Sequence, residues 1–120
     1  MRVYICACDN TYGGLHGMSD WCVTDVSSID EANEIGLQMS YDVMESYDSI
    51  TEYLESEADQ WYERDTDEWQ EAYEEAAMEN TSWNVWEIDE EATKGLTNEE
   101  LEELIECYED EDFIKKYCIT

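Results

Sequence analysis

Over residues 28–80, apolar side chains return at every third or fourth position. Ala32, Ile35, Met39, Val43, Tyr47, Ile50, Leu54, Ala58 and Trp61 follow one another at those steps. This spacing lines side chains along one face of a helix. Most of the remaining positions are acidic, among them Glu31, Glu34, Asp42, Glu45, Glu52, Glu55, Asp59 and Glu63. A chain so patterned folds as amphipathic helix, with a narrow stripe to bury and an anionic surface left over. Ser28 and Glu31 form a capping-box pattern at its start. The stripe is compatible with one helix to about Arg64, or with a break at Tyr47-Asp48-Ser49, where Ser49 and Glu52 repeat the capping pattern. Asp65 and Thr66 open a further helix. Its stripe is Trp69, Ala72, Tyr73, Ala76 and Ala77, and its wet face is Glu68, Glu71, Glu74, Glu75 and Glu79.

The flanking segments read differently. Residues 2–8 (RVYICAC) are β-branched and aromatic-rich, a strand with Val3, Ile5 and Ala7 on one side and Tyr4, Cys6 and Cys8 on the other. Residues 9–20 hold Gly13, Gly14 and Gly17 and form a loop. Residues 21–26 are a second strand, making a hairpin with a long connection. Residues 82–88 alternate as a third strand. Thr97 and Glu100 cap a helix with the stripe Leu101, Leu104, Ile105 and Tyr108. Phe113, Ile114 and Tyr117 anchor a short terminal helix. The predicted fold is α+β, one domain over residues 1–120 in the order ββααβαα. A small, mainly antiparallel three-stranded sheet carries amphipathic helices on one face.

Composition matters because of its sign. There are 34 Asp+Glu against 5 Lys+Arg, a formal charge of −29. At most five carboxylates can hold a private basic partner within the chain. Nucleic acid and anionic membranes are repelled by such a surface, and a basic protein is attracted. Five Trp and nine Tyr exclude a disordered acidic tail, which would be poor in aromatics. They also argue, with the cysteines, against an acidic protein of a halophile. The N-terminus shows no basic region followed by a long apolar run, and no stretch approaches a membrane span. The expected location is therefore cytoplasmic, with the five cysteines as free thiols.

An ordinary solvated helix face mixes its signs. Here like charges stand four apart repeatedly, as in Glu71 with Glu75, Glu75 with Glu79, Glu99 with Glu103 and Glu102 with Glu106. Each such pair costs a few tenths of a kcal/mol. A surface that accepts that cost throughout has a use. DNA presents one charge per ~3.4 Å along each strand. Helical rows at spacing three or four present a carboxylate every ~5–6 Å, with two or three rows side by side. The density is comparable, so a protein that grips nucleic acid through Lys and Arg would accept these rows instead.

In size, charge, aromatic content and lack of localisation signals, the whole chain resembles the small acidic proteins that phages encode against host defence: anti-restriction and anti-CRISPR proteins that act as DNA mimics. No diagnostic motif accompanies the resemblance. It implies inhibition of a host defence nuclease by occupation of its DNA site, in the host cytoplasm. The expected partner-binding face is Glu45, Glu52, Glu55, Asp59 and Glu63, with Glu68, Glu71 and Glu75 beside it. The alternative is an acidic adaptor for a basic partner unrelated to nucleic acid. Burial of Trp61, Tyr62, Trp69 and Tyr73 favours the decoy, and their exposure as a patch favours the adaptor.

Other chemistry is weakly signalled. Tyr12, His16 and Asp20 make the 9–20 loop a possible contact loop, although a plain hairpin connection explains it as well. Cys6, Cys8, Cys22 and His16 could approach a zinc ion, but C-x-C is not the C-x-x-C knuckle of structural zinc, and buried thiols are the expected reading. Acidic runs near Asp65, Asp67 and residues 109–112 lack the ordered spacing of a calcium loop. The single histidine has no evident nucleophile partner. No metal, cofactor or enzymatic activity is expected.

Overall fold

The structure, a computed structural model, describes residues 1–10 and 19–119. Strands β1 (Arg2–Asp9), β2 (Ser19–Asp25) and β3 (Thr81–Glu87) form an antiparallel sheet in the order β2-β1-β3. Helices α1 (Ile29–Glu45), α2 (Asp48–Asp59) and α3 (Asp67–Glu79) lie between β2 and β3, and α4 (Asn98–Leu104) and α5 (Glu111–Tyr117) follow. The fold class is the predicted one, and the order ββαααβαα differs from the expected ββααβαα only in that the helical stretch before α3 is divided into α1 and α2.

The placement of the helices differs from expectation. They cover both faces of the sheet, not one. Val3 and Ile5 of central β1 pack with Val26 and Ala32, beneath Ile35 and Met39 of α1. On the opposite face, Tyr4 and Cys6 pack with Val23, Ile88, Leu101, Ile105 and Phe113 under α4 and α5. The cause lies in β1 itself. Residues 3–7 are apolar on both sides and wholly buried, and a strand of that kind needs a layer on each side. Tyr4 stacks on Trp86 with ring centroids 5.3 Å apart and meets Phe113 edge-on at 5.1 Å.

Two small residues seat α1 on the sheet. A Cβ at Gly36 would stand 2.4 Å from Trp83 Cδ1, so glycine lets the helix approach that ring. The Trp83 indole N–H donates to Asn33 Oδ1 at 3.1 Å. One turn on, the buried Ser40 hydroxyl donates to the Cys8 carbonyl at 2.7 Å and accepts from the Ser82 N–H at 3.1 Å. Cys8 and Ser82 are paired residues of β1 and β3, so one hydroxyl ties the helix to both strands.

Beyond the sheet the chain breaks and turns. α1 ends at Glu45 with Ser46 as its C-cap, and α2 begins at Asp48 with Tyr47 as an N-cap that makes no side-chain capping hydrogen bond. The break falls where it was expected, but α2 starts before Ser49, so Ser49 does not cap it. Met44, Ile50, Leu54 and Ala77 form a third cluster, flanked by Tyr41, Tyr53 and Tyr73. α2 and α3 thus make an arm that extends the molecule to 54 × 27 × 21 Å. Thr66 caps α3 by accepting from Trp69 N–H. The Thr97–Glu100 capping box on α4 is complete. At α1, Ser28 accepts from Glu31 N–H, while the Glu31 carboxylate accepts from the N–H and hydroxyl of Ser27. The Val23 N–H of β2 donates to a Glu102 carboxylate oxygen at 2.8 Å.

Asp110 organises the C-terminal layer. Its buried carboxylate accepts from the N–H groups of Glu106 (2.9 Å), Asp112 (3.1 Å) and Phe113 (3.2 Å). These bonds, led by that from Glu106, hold its pKa below the usual carboxylate value against the opposing pull of desolvation. A depressed carboxylate pKa contributes stability above the unfolded-state value and loses it as pH falls through the folded one. Asp110→Ala is expected to cost about 2 kcal/mol at neutral pH. Denaturant melts of both proteins should show this gap narrowing as pH falls below the carboxylate range. A gap that widens on acidification contradicts the assignment.

Gly36→Ala tests the seating of α1. Alanine should favour an exposed helix by about 1 kcal/mol, but overpacking against Trp83 costs about 1–3 kcal/mol. Net destabilisation of about 1 kcal/mol, read by chemical denaturation, is the expected outcome.

Candidate protein-interaction surface

The eight carboxylates expected to bind a partner all lie on the arm or at its root. Glu45 ends α1, Glu52, Glu55 and Asp59 lie on α2, Glu63 lies in the following turn, and Glu68, Glu71 and Glu75 lie on α3. All are exposed except Glu55, which is half-buried. The α3 row follows from its spacing: with Trp69, Tyr73 and Ala77 turned inward, positions 68, 71 and 75 point outward.

Arg64 takes two of the eight. Its Nη2 lies 3.1 Å from Glu55 and 3.0 Å from Asp59, and its Nε donates to Asp59 at 3.1 Å. The guanidinium also sits 5.7 Å from the Trp69 ring centroid, and the Trp69 indole N–H donates to Asp59 at 2.8 Å. Hydrogen bonds from Arg64 and then Trp69 hold the Asp59 pKa below its ordinary value, and the Arg64 pKa rises in response to Asp59. Both ion pairs between described residues belong to Arg64. No described cation lies within ion-pair distance of Glu45, Glu52, Glu63, Glu68, Glu71 or Glu75.

The arm also holds a cleft of about 760 Å³ between α1 and α3. Its floor includes Met44, Leu54, Tyr73 and Ala77, and its rim carries Glu45, Glu71, Glu74 and Glu75. The Tyr73 hydroxyl pKa is raised, first by burial and then by the charges of Glu45 and Glu55. Three predicted residues, Glu45, Glu71 and Glu75, therefore meet at one feature, with Glu55 close by. Glu52, Asp59, Glu63 and Glu68 do not line it. Tyr41, which forms one wall, escaped the sequence stripe; its hydroxyl contacts Met78 Sδ at 3.6 Å. Its place three residues before buried Met44 was the available signal.

The aromatics divide. Trp69 and Tyr73 are half-buried and stack with centroids 5.6 Å apart. Trp61 and Tyr62, beyond the end of α2, are 76% and 48% exposed. Trp61 therefore leaves the stripe to which its spacing assigned it. The helix stops at Asp59, and helical periodicity no longer governs position 61.

Of the loop candidates, Tyr12 and His16 lie outside the described residues. Asp20 is an exposed residue of β2 whose carboxylate accepts from the Trp21 N–H at 2.9 Å. The cysteines are separated by register. Cys22 pairs with Ile5 and faces α1, where its thiol lies 3.6 Å from Met39 Sδ. Cys6 and Cys8 are on the other face, where Tyr108 donates to Cys8 Sγ at 3.4 Å. The sheet thus stands between Cys22 and the other two thiols. Burial pushes Cys6, Cys22 and Cys118 each up to about 11, so they remain thiols at neutral pH. Among the described residues, no group of three or more His, Cys, Asp or Glu is placed to hold a metal, and no helix is long and apolar enough to cross a membrane.

Self-repulsion on the arm should make stability depend on salt. Raising NaCl from about 0.02 M to about 0.3 M shortens the screening length from roughly 20 Å to roughly 6 Å. The melting temperature, followed by circular dichroism, should rise across that range. A fall would mean that the Arg64 pairs outweigh the repulsion.

Compared with known proteins, the chain matches no family model, no curated protein and no solved structure.

Proposed function

We propose that this protein is an acidic DNA-mimic inhibitor that occupies the nucleic-acid-binding surface of a host defence nuclease, a CRISPR effector or a restriction enzyme. The observation that carries the reading is the set of six carboxylates on the arm or at its root with no described cation in reach, five of them on helices ordered before any partner arrives. Pre-ordered charge loses little conformational entropy on binding. It can take Arg side chains bidentately, as phosphate does. In an RNA-guided nuclease the matching surface is the basic site that reads the short duplex motif beside the target. The protein then acts by occupancy and carries out no reaction. Association should be fast and should slow as salt screens the steering field.

A second reading has its own support. Trp61 and Tyr62 are exposed beside the acidic face, and exposed aromatics of this kind anchor ordinary protein interfaces. On that reading the protein is an acidic adaptor for a basic partner unrelated to nucleic acid.

One experiment separates them. Partners captured from host lysate, and a panel of purified CRISPR effectors and restriction enzymes, are assayed for DNA binding with and without the protein. Loss of DNA binding in its presence is expected. Replacing Glu68, Glu71 and Glu75 together by Lys should abolish inhibition while leaving the helical signal intact, whereas single changes should each do little. A captured partner that binds DNA undisturbed in its presence rejects the decoy and favours the adaptor.

A further inference from the structure

The α1–α3 cleft combines two properties, and unlike the smaller cleft beside α5, where Lys116 stands among the carboxylates, it has no cation in its lining. Its floor is apolar and aromatic, through Met44, Leu54, Tyr73 and Ala77, and its rim carries four carboxylates with no Lys or Arg among the lining residues. A row of carboxylates alone attracts any cation, hydrated or not. An apolar floor beneath them favours a cation that brings its own hydrocarbon. Arg and Lys side chains have that form, a charged head on an alkyl stem that lies along apolar surface. The volume, about 760 Å³, exceeds what one such side chain fills and falls within the range of ligand pockets.

We infer that this cleft receives an Arg or Lys side chain, with an apolar neighbour, from a basic amphipathic segment of the partner protein. The stem and the apolar neighbour lie on Tyr73, Leu54 and Met44, and the cationic head is held among Glu45, Glu71, Glu74 and Glu75. Charge complementarity selects this occupant. An uncharged apolar helix would leave four carboxylates partly desolvated without a cationic partner, and an acidic one would be repelled. The inference takes from the proposed function only that the partner is basic, and it makes the cleft the specific anchor within a broader field.

The test uses labelled helical peptides and the intact protein at about 0.15 M salt, where long-range attraction is weakened. One peptide alternates Arg with Leu, one replaces Leu by Ser, and one replaces Arg by citrulline. Fluorescence anisotropy should rank the Arg/Leu peptide tightest, and the citrulline peptide weakest. Gln38→Trp narrows the cleft from its rim without changing charge, and Met78→Trp does so from the α3 side should the first variant fail to fold. Either should weaken the Arg/Leu peptide about tenfold and leave the Arg/Ser peptide unchanged. The pair Glu71→Lys and Glu75→Lys should weaken it more than Glu90→Lys with Glu91→Lys. The latter pair makes the same charge change beyond the far end of β3. Equal effects of the two reversals, no effect of narrowing, or equal competition by a polyamine such as spermine would overturn the cleft assignment. No nuclease enters this assay, so its failure leaves the DNA-mimic reading standing. Peptide binding with intact DNA binding by every captured target would do the reverse.

Discussion

The close seating of α1 on the sheet is the constraint from which the rest of the structure hangs. Helix and sheet approach because position 36 has no side chain in the way of Trp83, and Ser40 fixes their register by joining the Cys8 carbonyl to the Ser82 N–H. The same helix runs past the sheet and supplies Tyr41 and Met44 to the arm. Its direction therefore sets where α2 and α3 project and how Glu45 faces the α3 carboxylates. Neither Gly36 nor Ser40 has an apolar side chain, yet both are buried at the helix–sheet contact.

The acidic surface is also less hostile to this fold than the bare charge suggests. Helix N-termini carry partial positive charge, and the first turns of α1, α3, α4 and α5 each hold two acidic residues. Side-chain caps at Ser28, Thr66, Thr97 and Asp110 occupy the same ends. The helix C-termini receive no such help in α1 to α4, whose last turns contain no basic residue; only α5 has Lys115 and Lys116 there. Electrostatic strain thus concentrates toward helix C-termini and along the like-charged rows of the arm. Arg64, held by Glu55, Asp59 and Trp69, relieves it at the turn between α2 and α3.

Much of this was legible in the sequence. The strands, the capping residues Thr66 and Thr97 and the inward face of α3 follow from local pattern, which depends on neighbours within a few residues. The two-sided covering of β1 was written in residues 2–8, where Tyr4 and Cys6, like Val3 and Ile5, are side chains that favour burial, but alternation alone does not say how many layers a strand needs. Three features escaped, the first because it depends on contacts between segments distant in sequence and the other two because they depend on where α2 stops and how the chain turns after it. Gly36 and Ser40 look unfavourable in a helix until Trp83 and the β1–β3 ladder are beside them. Trp61 fits a helical stripe only while the helix continues. Arg64 reads as one isolated cation until the turn folds it onto two carboxylates that the sequence left open for a partner.

The arm has a consequence for cooperativity. α2 and α3 pack chiefly on each other and meet the rest of the molecule through the end of α1 and the junction into β3, whereas β1 is enclosed on both sides. Segments with few long-range contacts open at lower free energy than a doubly covered strand. In hydrogen exchange the two arm helices would then open together as one unit, ahead of the sheet. A partner that binds only the closed arm must slow exchange throughout that unit, at amides it never touches as well as at those beneath it. Its footprint in such an experiment would mark the boundary of a cooperative element and overstate the area of contact.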